Sequence, residues 1–265
     1  MKALLVLLLV AGVGVGGYYF VLKDRAEPPV ATVTPVKHAP KVEASATPGP
    51  AMSRFLHPVN KAGSEAEIAE QAKVLPVLDK SDASFQDALA KILGSQKALA
   101  NLNRDLIRRI VVTIDNATGK QFPVEFSPLK LLKTEFVKEE QDGTIWLSEK
   151  NYVRYKPYVK FLCQIDSQKW VSTYEHYYPL FQAAFRDLGT QGYFNDRLVE
   201  VIDHLLAAPT ESGRIGLVQP KVFYEFSDPK LEALSAGQKI FLRMGPQNAA
   251  QLKAKLREIR LFLVK

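Results

Sequence analysis

Residues 170–188 read WVSTYEHYYPLFQAAFRDL, and this stretch decides the expected fold. Its large apolar side chains recur every three or four residues, which is the spacing of one face of an α-helix. They are Val171, Tyr174, Tyr178, Phe181, Phe185 and Leu188. Pro179 lies inside the run and predicts a kink near Glu175, because proline cannot donate the helical hydrogen bond. Gly189 and Gly192 predict the end of this helix.

Helical spacing continues on both sides of this stretch. Further helices are predicted over residues 81–94, 99–114, 152–162, 195–206 and 246–263. Two hairpins are predicted between them: Thr134–Val137 with Thr144–Leu147 around an Asp142-Gly143 turn, and Ile215–Gln219 with Val222–Phe226. The sequence therefore predicts an α+β, predominantly helical fold. We expect a single globular domain over residues 74–265, with one or two small β hairpins, behind an N-terminal transmembrane helix.

The N-terminal segment Ala3–Leu22 contains twenty residues without a charge. A helix of that length spans about 30 Å, the thickness of the hydrocarbon core of a bilayer. A cleaved signal peptide is the alternative, since Lys2 forms a short basic start and Gly14 and Gly16 are small. The apolar run continues to Leu22, which favours an uncleaved anchor over residues 1–25.

Residues 26–73 are rich in proline, alanine, valine and threonine and show no sustained helical period. Such a composition buries too little apolar surface to offset the entropy of ordering, so it predicts a disordered tether. Within it, Ser64–Glu70 predicts one short helical turn. Because tethers of this kind hold domains away from a membrane, we expect a single-pass inner-membrane protein whose domain lies in the periplasm. A cytosolic domain is the alternative, since the basic residues flanking the apolar run do not decide the orientation.

No catalytic or cofactor motif appears in the sequence. It lacks the metalloprotease, nucleophile-elbow, Cys-x-x-Cys, P-loop and dinucleotide patterns. Cys163 is the only cysteine, which excludes an internal disulfide. We therefore predict no catalytic residues, no metal site and no cofactor, and an external domain makes nucleic acid an unexpected partner.

Two predicted helices carry the candidate ligand-binding side chains. Aromatic and basic groups alternate in the first region, where rings beside arginine suit a sugar, a peptide or a phosphate; the candidates are Tyr152, Arg154, Tyr155 and Tyr178. The helix near residue 200 adds Asp196, Arg197, Asp203 and His204. The structural alternative is that the rings form the core and that the acid–His spacing is an ordinary solvated helix face.

The C-terminal region is strongly basic. Residues 239–265 carry seven Lys and Arg side chains against the single carboxylate of Glu258, in a chain of net charge +7. The candidate surface for an anionic partner consists of Lys253, Lys255, Arg257 and Arg260. A solvated helix face is the alternative.

Several stretches resemble an uncharacterised bacterial family, the domain of unknown function DUF3014. They are LPVLDKSD at 75–82, NYVRY at 151–155, YPL at 178–180, FNDRL at 194–198, VIDHLL at 201–206, GQK at 237–239 and LRMGP at 242–246. The resemblance covers the chain from about Leu75 to Arg260. It implies the layout of a membrane helix, a variable low-complexity spacer and this domain, and it implies no activity.

Two functions remain open at this stage. The first is a membrane-anchored, non-catalytic envelope domain that binds or scaffolds a protein or an envelope polymer. The second is an envelope hydrolase or ligand-binding enzyme with a site between the Tyr152/Arg154 helix and the Asp196/His204 helix. The sequence leaves the ligand and the oligomeric state undetermined.

Overall fold

The computed structural model describes residues 55–59, 64–94, 102–130 and 136–264. Within these ranges the chain forms nine α-helices and four short strands. The helices are α1 Glu65–Ala72, α2 Asp82–Leu93, α3 Leu106–Asn116, α4 Lys150–Gln164, α5 Ser167–Asp187, α6 Phe194–Leu206, α7 Pro229–Glu232, α8 Ala236–Arg243 and α9 Pro246–Leu263. The strands are β1 Lys138–Gln141, β2 Thr144–Leu147, β3 Gly216–Val218 and β4 Glu225–Phe226. The predicted class, mainly helical with a small β component in one domain, is confirmed.

Helix α5 is the centre of the domain and contains the stretch that the sequence singled out. It contacts α1, α2, α3, α6 and α9. Its largest side chains are fully buried, namely Trp170, Tyr174, Tyr178 and Phe181. The helix continues through Pro179, just as α4 continues through Pro157. A helix that is covered on so many sides must be apolar around most of its surface, which explains its density of aromatic residues.

Two buried amides connect α5 to the start of α6. The Gln182 amide accepts hydrogen bonds from the Tyr178 hydroxyl at 2.9 Å and the Phe194 N–H at 2.8 Å, and it donates to the Gly192 carbonyl at 3.0 Å. Asn195 accepts from the Tyr174 hydroxyl at 3.1 Å and donates to the His57 carbonyl at 2.8 Å. Buried polar groups are stable only when they are hydrogen-bonded, so these contacts determine how α5, α6 and the segment at His57 fit together.

Two hairpins form near the predicted positions, with the first strand at Lys138–Gln141, directly before the turn, rather than at Thr134–Val137. They join into one antiparallel sheet in the order β1-β2-β3-β4. Asp142 and Gly143 form the β1–β2 turn with φ values of 51° and 73°, as a two-residue hairpin turn requires. Ile145 of β2 lies opposite Leu217 of β3, and this pairing connects the hairpins. A second apolar cluster then forms between the sheet and α8, from Leu147, Ile215, Leu217, Phe226 and Leu242.

The second predicted helix begins later than its apolar spacing suggested. Leu102 forms an isolated β-bridge with Leu129, and α3 begins only at Leu106. The reason is a contact between helices: the Asp82 carboxylate of α2 accepts the N–H groups of Asp105 at 2.7 Å and Leu106 at 2.9 Å. This carboxylate satisfies donors that the first turn of a helix leaves unpaired.

The packed part of the chain begins before residue 74. Val59 is buried, and Phe55 stacks on Tyr193. Helix α1, the predicted helical turn, contacts α5 and buries Ile68. The predicted membrane helix at residues 3–22 lies outside the described residues, and no described helix has the length and apolar character needed to cross a membrane.

We predict that Gln182→Leu lowers the free energy of unfolding by about 3 kcal/mol, because it leaves the Tyr178 hydroxyl, the Phe194 N–H and the Gly192 carbonyl without their partner. Chemical denaturation monitored by circular dichroism measures this loss. The same substitution at the exposed Gln168 of α5 is the control, with an expected change within about 0.5 kcal/mol. Equal stability of the two variants would refute the structural role of Gln182.

Candidate functional site

The aromatic candidates of α4 lie in structural positions. Tyr155 is 3% exposed, and burial raises the pKa of its hydroxyl, although Arg154 and Arg243 act in the opposite direction. The ring of Tyr152 covers Gly245, where a Cβ atom would come within 2.5 Å of the ring. Arg154 donates to the Asn151 side chain, and burial lowers the pKa of its guanidinium. Tyr152 therefore packs α4 against the junction of α8 and α9, whereas the Arg154 hydrogen bond lies within α4.

Tyr178 is a core residue of α5, whereas Arg197 connects two helices. Tyr178 is fully buried in α5, where burial raises the pKa of its hydroxyl. Arg197 of α6 reaches the end of α3 and donates to the Asp115 carboxylate at 2.8 Å, the Asp115 carbonyl at 2.7 Å and the Thr118 hydroxyl at 2.8 Å. It also pairs with Glu200 at 2.9 Å. Most of its N–H groups therefore hydrogen-bond to the end of α3, and these contacts join α3 to α6.

The two acidic candidates of α6 have different partners. Asp196 accepts the N–H of His57 at 2.8 Å and the N–H of Leu56 at 3.3 Å, so it holds the segment at 55–59 on the start of α6. Asp203 forms a two-point ion pair with Arg260 of α9, in which one N–O distance is 2.8 Å. Both carboxylates thus serve contacts between elements of the fold.

His204 joins the end of α6 to the start of α8. Its Nε2 atom lies 2.8 Å from the hydroxyl of Ser235, the N-cap of α8, and its backbone carbonyl accepts from Gln238 at 3.0 Å. Burial, with Arg197 nearby, lowers the pKa of His204 below its usual 6.5, and Glu200 partly opposes the shift. A neutral imidazole at pH 7 follows.

The four basic candidates of α9 do not share one exposed face. Lys253 and Lys255 are 8% and 7% exposed. The amino group of Lys253 donates to the Ala208 carbonyl at the end of α6, and that of Lys255 pairs with Glu258 at 2.5 Å. Arg260 is engaged with Asp203, whereas Arg257 is exposed. Most of the positive charge in this helix therefore meets partners within the domain.

The two sets of candidates lie on α4, α5 and α6, and α9 contacts all three helices. On α4, the candidate Tyr152 contacts Gly245. The candidates on α6 contact α3, α8, α9 and His57. Within the described ranges, no group of three His, Cys, Asp or Glu residues is placed to hold a metal ion.

A pocket of about 530 Å³ lies elsewhere, along one face of α8. We call it the α8 pocket. Its lining residues are Lys120, Gln121, Phe122, Val124, Phe223, Tyr224, Glu225, Pro229, Glu232, Ala233, Ala236, Lys239, Ile240 and Arg243. Its volume falls in the range of small-molecule sites in proteins. None of the site residues that were predicted from the sequence lines it.

Beside the α8 pocket, helix α8 approaches the end of α3 very closely. The N–H groups of Ala236 and Gly237 donate to the Gly119 carbonyl at 2.7 Å and the Ala117 carbonyl at 3.0 Å. A Cβ atom on Gly237 would lie 2.7 Å from the Ala117 oxygen and 2.5 Å from a Leu205 methyl group. Glycine is therefore required at this position, next to Ala236, which lines the pocket.

Charged contacts brace the walls of the pocket. Glu232 of α7 pairs with Lys239 of α8 and accepts the outward N–H of Phe226 at 2.9 Å. Lys120 donates to the Ala233 carbonyl. The Arg243 guanidinium lies over the Phe226 ring, 5.4 Å from its centre, and also acts on the pKa of Tyr155. The pocket and the candidate residues of α4 thus adjoin at Arg243.

Sequence reasoning missed this pocket because it missed α7 and α8. Two local signals mark them. Asp228-Pro229 is a cap followed by proline in the first turn, and Ser235 with Gln238 forms a capping box. Lys239 and Arg243 enter the sequence analysis through the basic C-terminal charge and the family resemblance, and not as predicted site residues.

The profile of a family described as Protein of unknown function (DUF3014) matches residues 106–260. The chain belongs to the DUF3014 family. The matched range contains α3 to α6, the sheet, α7, α8 and most of α9, and every residue that lines the α8 pocket lies within it. No curated protein and no solved structure shows significant similarity to the chain.

Asp196→Ala should release the segment at 55–59 from this DUF3014 domain, because two backbone N–H groups lose their charged acceptor. We expect hydrogen exchange at the His57 amide to become at least tenfold faster, since hydrogen bonds to charged groups contribute about 1.5–3 kcal/mol. Glu200→Ala, one turn later on α6, is the control and should leave exchange at His57 unchanged. Unchanged exchange in Asp196→Ala would contradict the docking role.

His204 should make stability depend on pH. Its pKa in the folded state is below the unfolded value, so its contribution to stability is complete above about pH 6.5 and is lost as the pH falls through the folded pKa. His204→Gln retains a hydrogen-bonding side chain that does not titrate in this range. The wild type should therefore lose more unfolding free energy between pH 7 and pH 5 than His204→Gln.

His176→Gln is the matched control, since His176 is exposed on α5. It should preserve the wild-type loss of stability between pH 7 and pH 5. If His204→Gln shows that same loss, the proposed contribution of His204 is wrong.

Proposed function

We propose that this protein is a single-pass, membrane-anchored binding domain of the cell envelope that acts without catalysis. Residues 3–22 are the anchor, residues 26–54 form the main part of the spacer, and the domain lies in the periplasm. The α8 pocket is its binding site for an envelope component.

The observation that carries the proposal is the position of the pocket relative to the point where the chain enters the domain. The segment at 55–59 docks on Asn195 and Asp196 in the first turn of α6. His204 and Leu205, in the last turn, contact Ser235 and Gly237, which flank Ala236 in the lining of the α8 pocket. Thirteen helical residues separate the two ends of α6 by about 20 Å. A tether that joins the domain at the first turn of α6 therefore does not cover the α8 pocket, which lies near the last turn.

The contacts of the candidate polar side chains also favour a binding role. Asp203 is paired with Arg260, Asp196 accepts two backbone N–H groups, and Arg197 joins α3 to α6. Catalytic acids and bases need access to a substrate and a pKa suited to proton transfer. The side chains of Asp196, Arg197 and Asp203 already have partners within the domain, so we infer that they stabilise the fold.

Fractionation of cells that express the full-length chain tests the proposal. The protein should stay in the membrane pellet after carbonate washing, whereas a chain that begins at residue 26 should appear in the supernatant. External protease should digest the full-length domain in spheroplasts and leave a cytosolic control protein intact. A full-length chain in the carbonate supernatant, or a domain protected from external protease, would overturn the proposed location.

A further inference from the structure

We propose that the α8 pocket binds a small organic carboxylate with an elongated apolar body. The carboxylate lies near Lys120, and the body lies along α8 against aromatic side chains. This inference rests on the proposed binding role of the pocket and adds the chemical class of its ligand.

The length of the pocket follows from the spacing of its residues on α8. Ala236, Lys239, Ile240 and Arg243 are separated by three, one and three positions, so they share one face of the helix. From Ala236 to Arg243 that face extends about 10 Å. A ligand that fills the pocket is therefore longer than a simple ion.

The body of the ligand is expected to be apolar because of the walls. Phe122 and Val124 come from the segment after α3, while Phe223 and Tyr224 come from the segment before β4. Ile240 contributes a buried apolar side chain from α8. Aromatic rings that face a cleft offer large apolar contact area at a small cost in conformational entropy.

The sign of the charged group follows from the lining charges. Three cations, Lys120, Lys239 and Arg243, stand against the carboxylates of Glu225 and Glu232, which leaves one net positive charge. Lys239 and Glu232 neutralise each other in an ion pair. Lys120 instead donates to a neutral carbonyl, that of Ala233, so its charge is not balanced at that contact. A single carboxylate complements this arrangement, whereas a dianion would meet the two glutamates.

The test uses three probes with one body and different head groups: 4-phenylbutyrate, 4-phenylbutyramide and 4-phenylbutylamine. Each is titrated by calorimetry into the full-length chain in nanodiscs, with empty nanodiscs as the blank. We expect 4-phenylbutyrate to bind at least fivefold more tightly than the amide and the amine. Equal binding of the amide, or tighter binding of the amine, would overturn the ligand class while leaving a binding pocket in place.

Three variants locate the site. Lys120→Gln keeps a hydrogen-bond donor but removes the charge, so it should weaken 4-phenylbutyrate binding about fivefold and leave amide binding unchanged, the size expected for an exposed charge pair. Ala233→Trp places a large side chain at the exposed rim and should abolish binding of all three probes. Ala254→Trp, on the exposed face of α9, is the matched control and should bind as the wild type does.

The outcomes separate this inference from the broader proposal. If Lys120→Gln binds 4-phenylbutyrate as tightly as the wild type, the assignment of the carboxylate to Lys120 is wrong. If no probe binds the wild type, the ligand class is wrong and the broader role of the pocket stands. If Ala233→Trp binds all probes normally, the probes bind outside the α8 pocket, and both the ligand class and the role of the pocket are refuted. Thermal melting of the two tryptophan variants verifies that each is folded before it is compared.

Discussion

The buried hydrogen bonds of Gln182 and Asn195 are the constraint on which the rest of this structure depends. Both amides lie in the interior, where an unpaired polar atom costs about 1–3 kcal/mol. Their partners are the Tyr174 and Tyr178 hydroxyls and backbone groups at three separate places in the chain: Gly192 and Phe194, His57, and Leu263. Apolar packing alone tolerates small shifts, but a buried network is satisfied in few arrangements. It therefore determines how α6 and the incoming chain sit on α5.

Once α6 is positioned, its two ends serve different parts of the domain. The first turn holds the segment at 55–59 through Asn195 and Asp196. The last turn holds the start of α8 through His204, and Gly237 allows α8 to come close to both Leu205 and Ala117. The α8 pocket opens beside this close approach, between α8, α7 and the segment after α3. One helix thus connects the docked segment at 55–59 to the start of α8, beside the α8 pocket.

The charged residues of α6 and α9 show how difficult it is to infer a site from residue types. Asp196, Asp203 and His204 have the types and spacing from which metal and proton-transfer sites are built. In the folded chain each of them meets a different element: the segment at 55–59, Arg260 of α9 and Ser235 before α8. Lys253 likewise meets the Ala208 carbonyl, two residues beyond the end of α6, rather than solvent. These side chains support the architecture of the domain.

The sequence by itself determined the features that depend on neighbouring residues. The apolar period of α5, the Gly94 end of α2, the Asp142-Gly143 turn and the Gly245-Pro246 start of α9 are all local, and the structure has each of them. Tertiary structure alone decided where α3 begins, since the Asp82 carboxylate of α2 caps it. It also decided that the two hairpins form one sheet and that a pocket opens along α8. Those outcomes depend on contacts between residues that are distant in the chain. The physical reason is that packing determines hydrogen-bond partners and close approaches between elements, and the local spacing of apolar residues does not specify them.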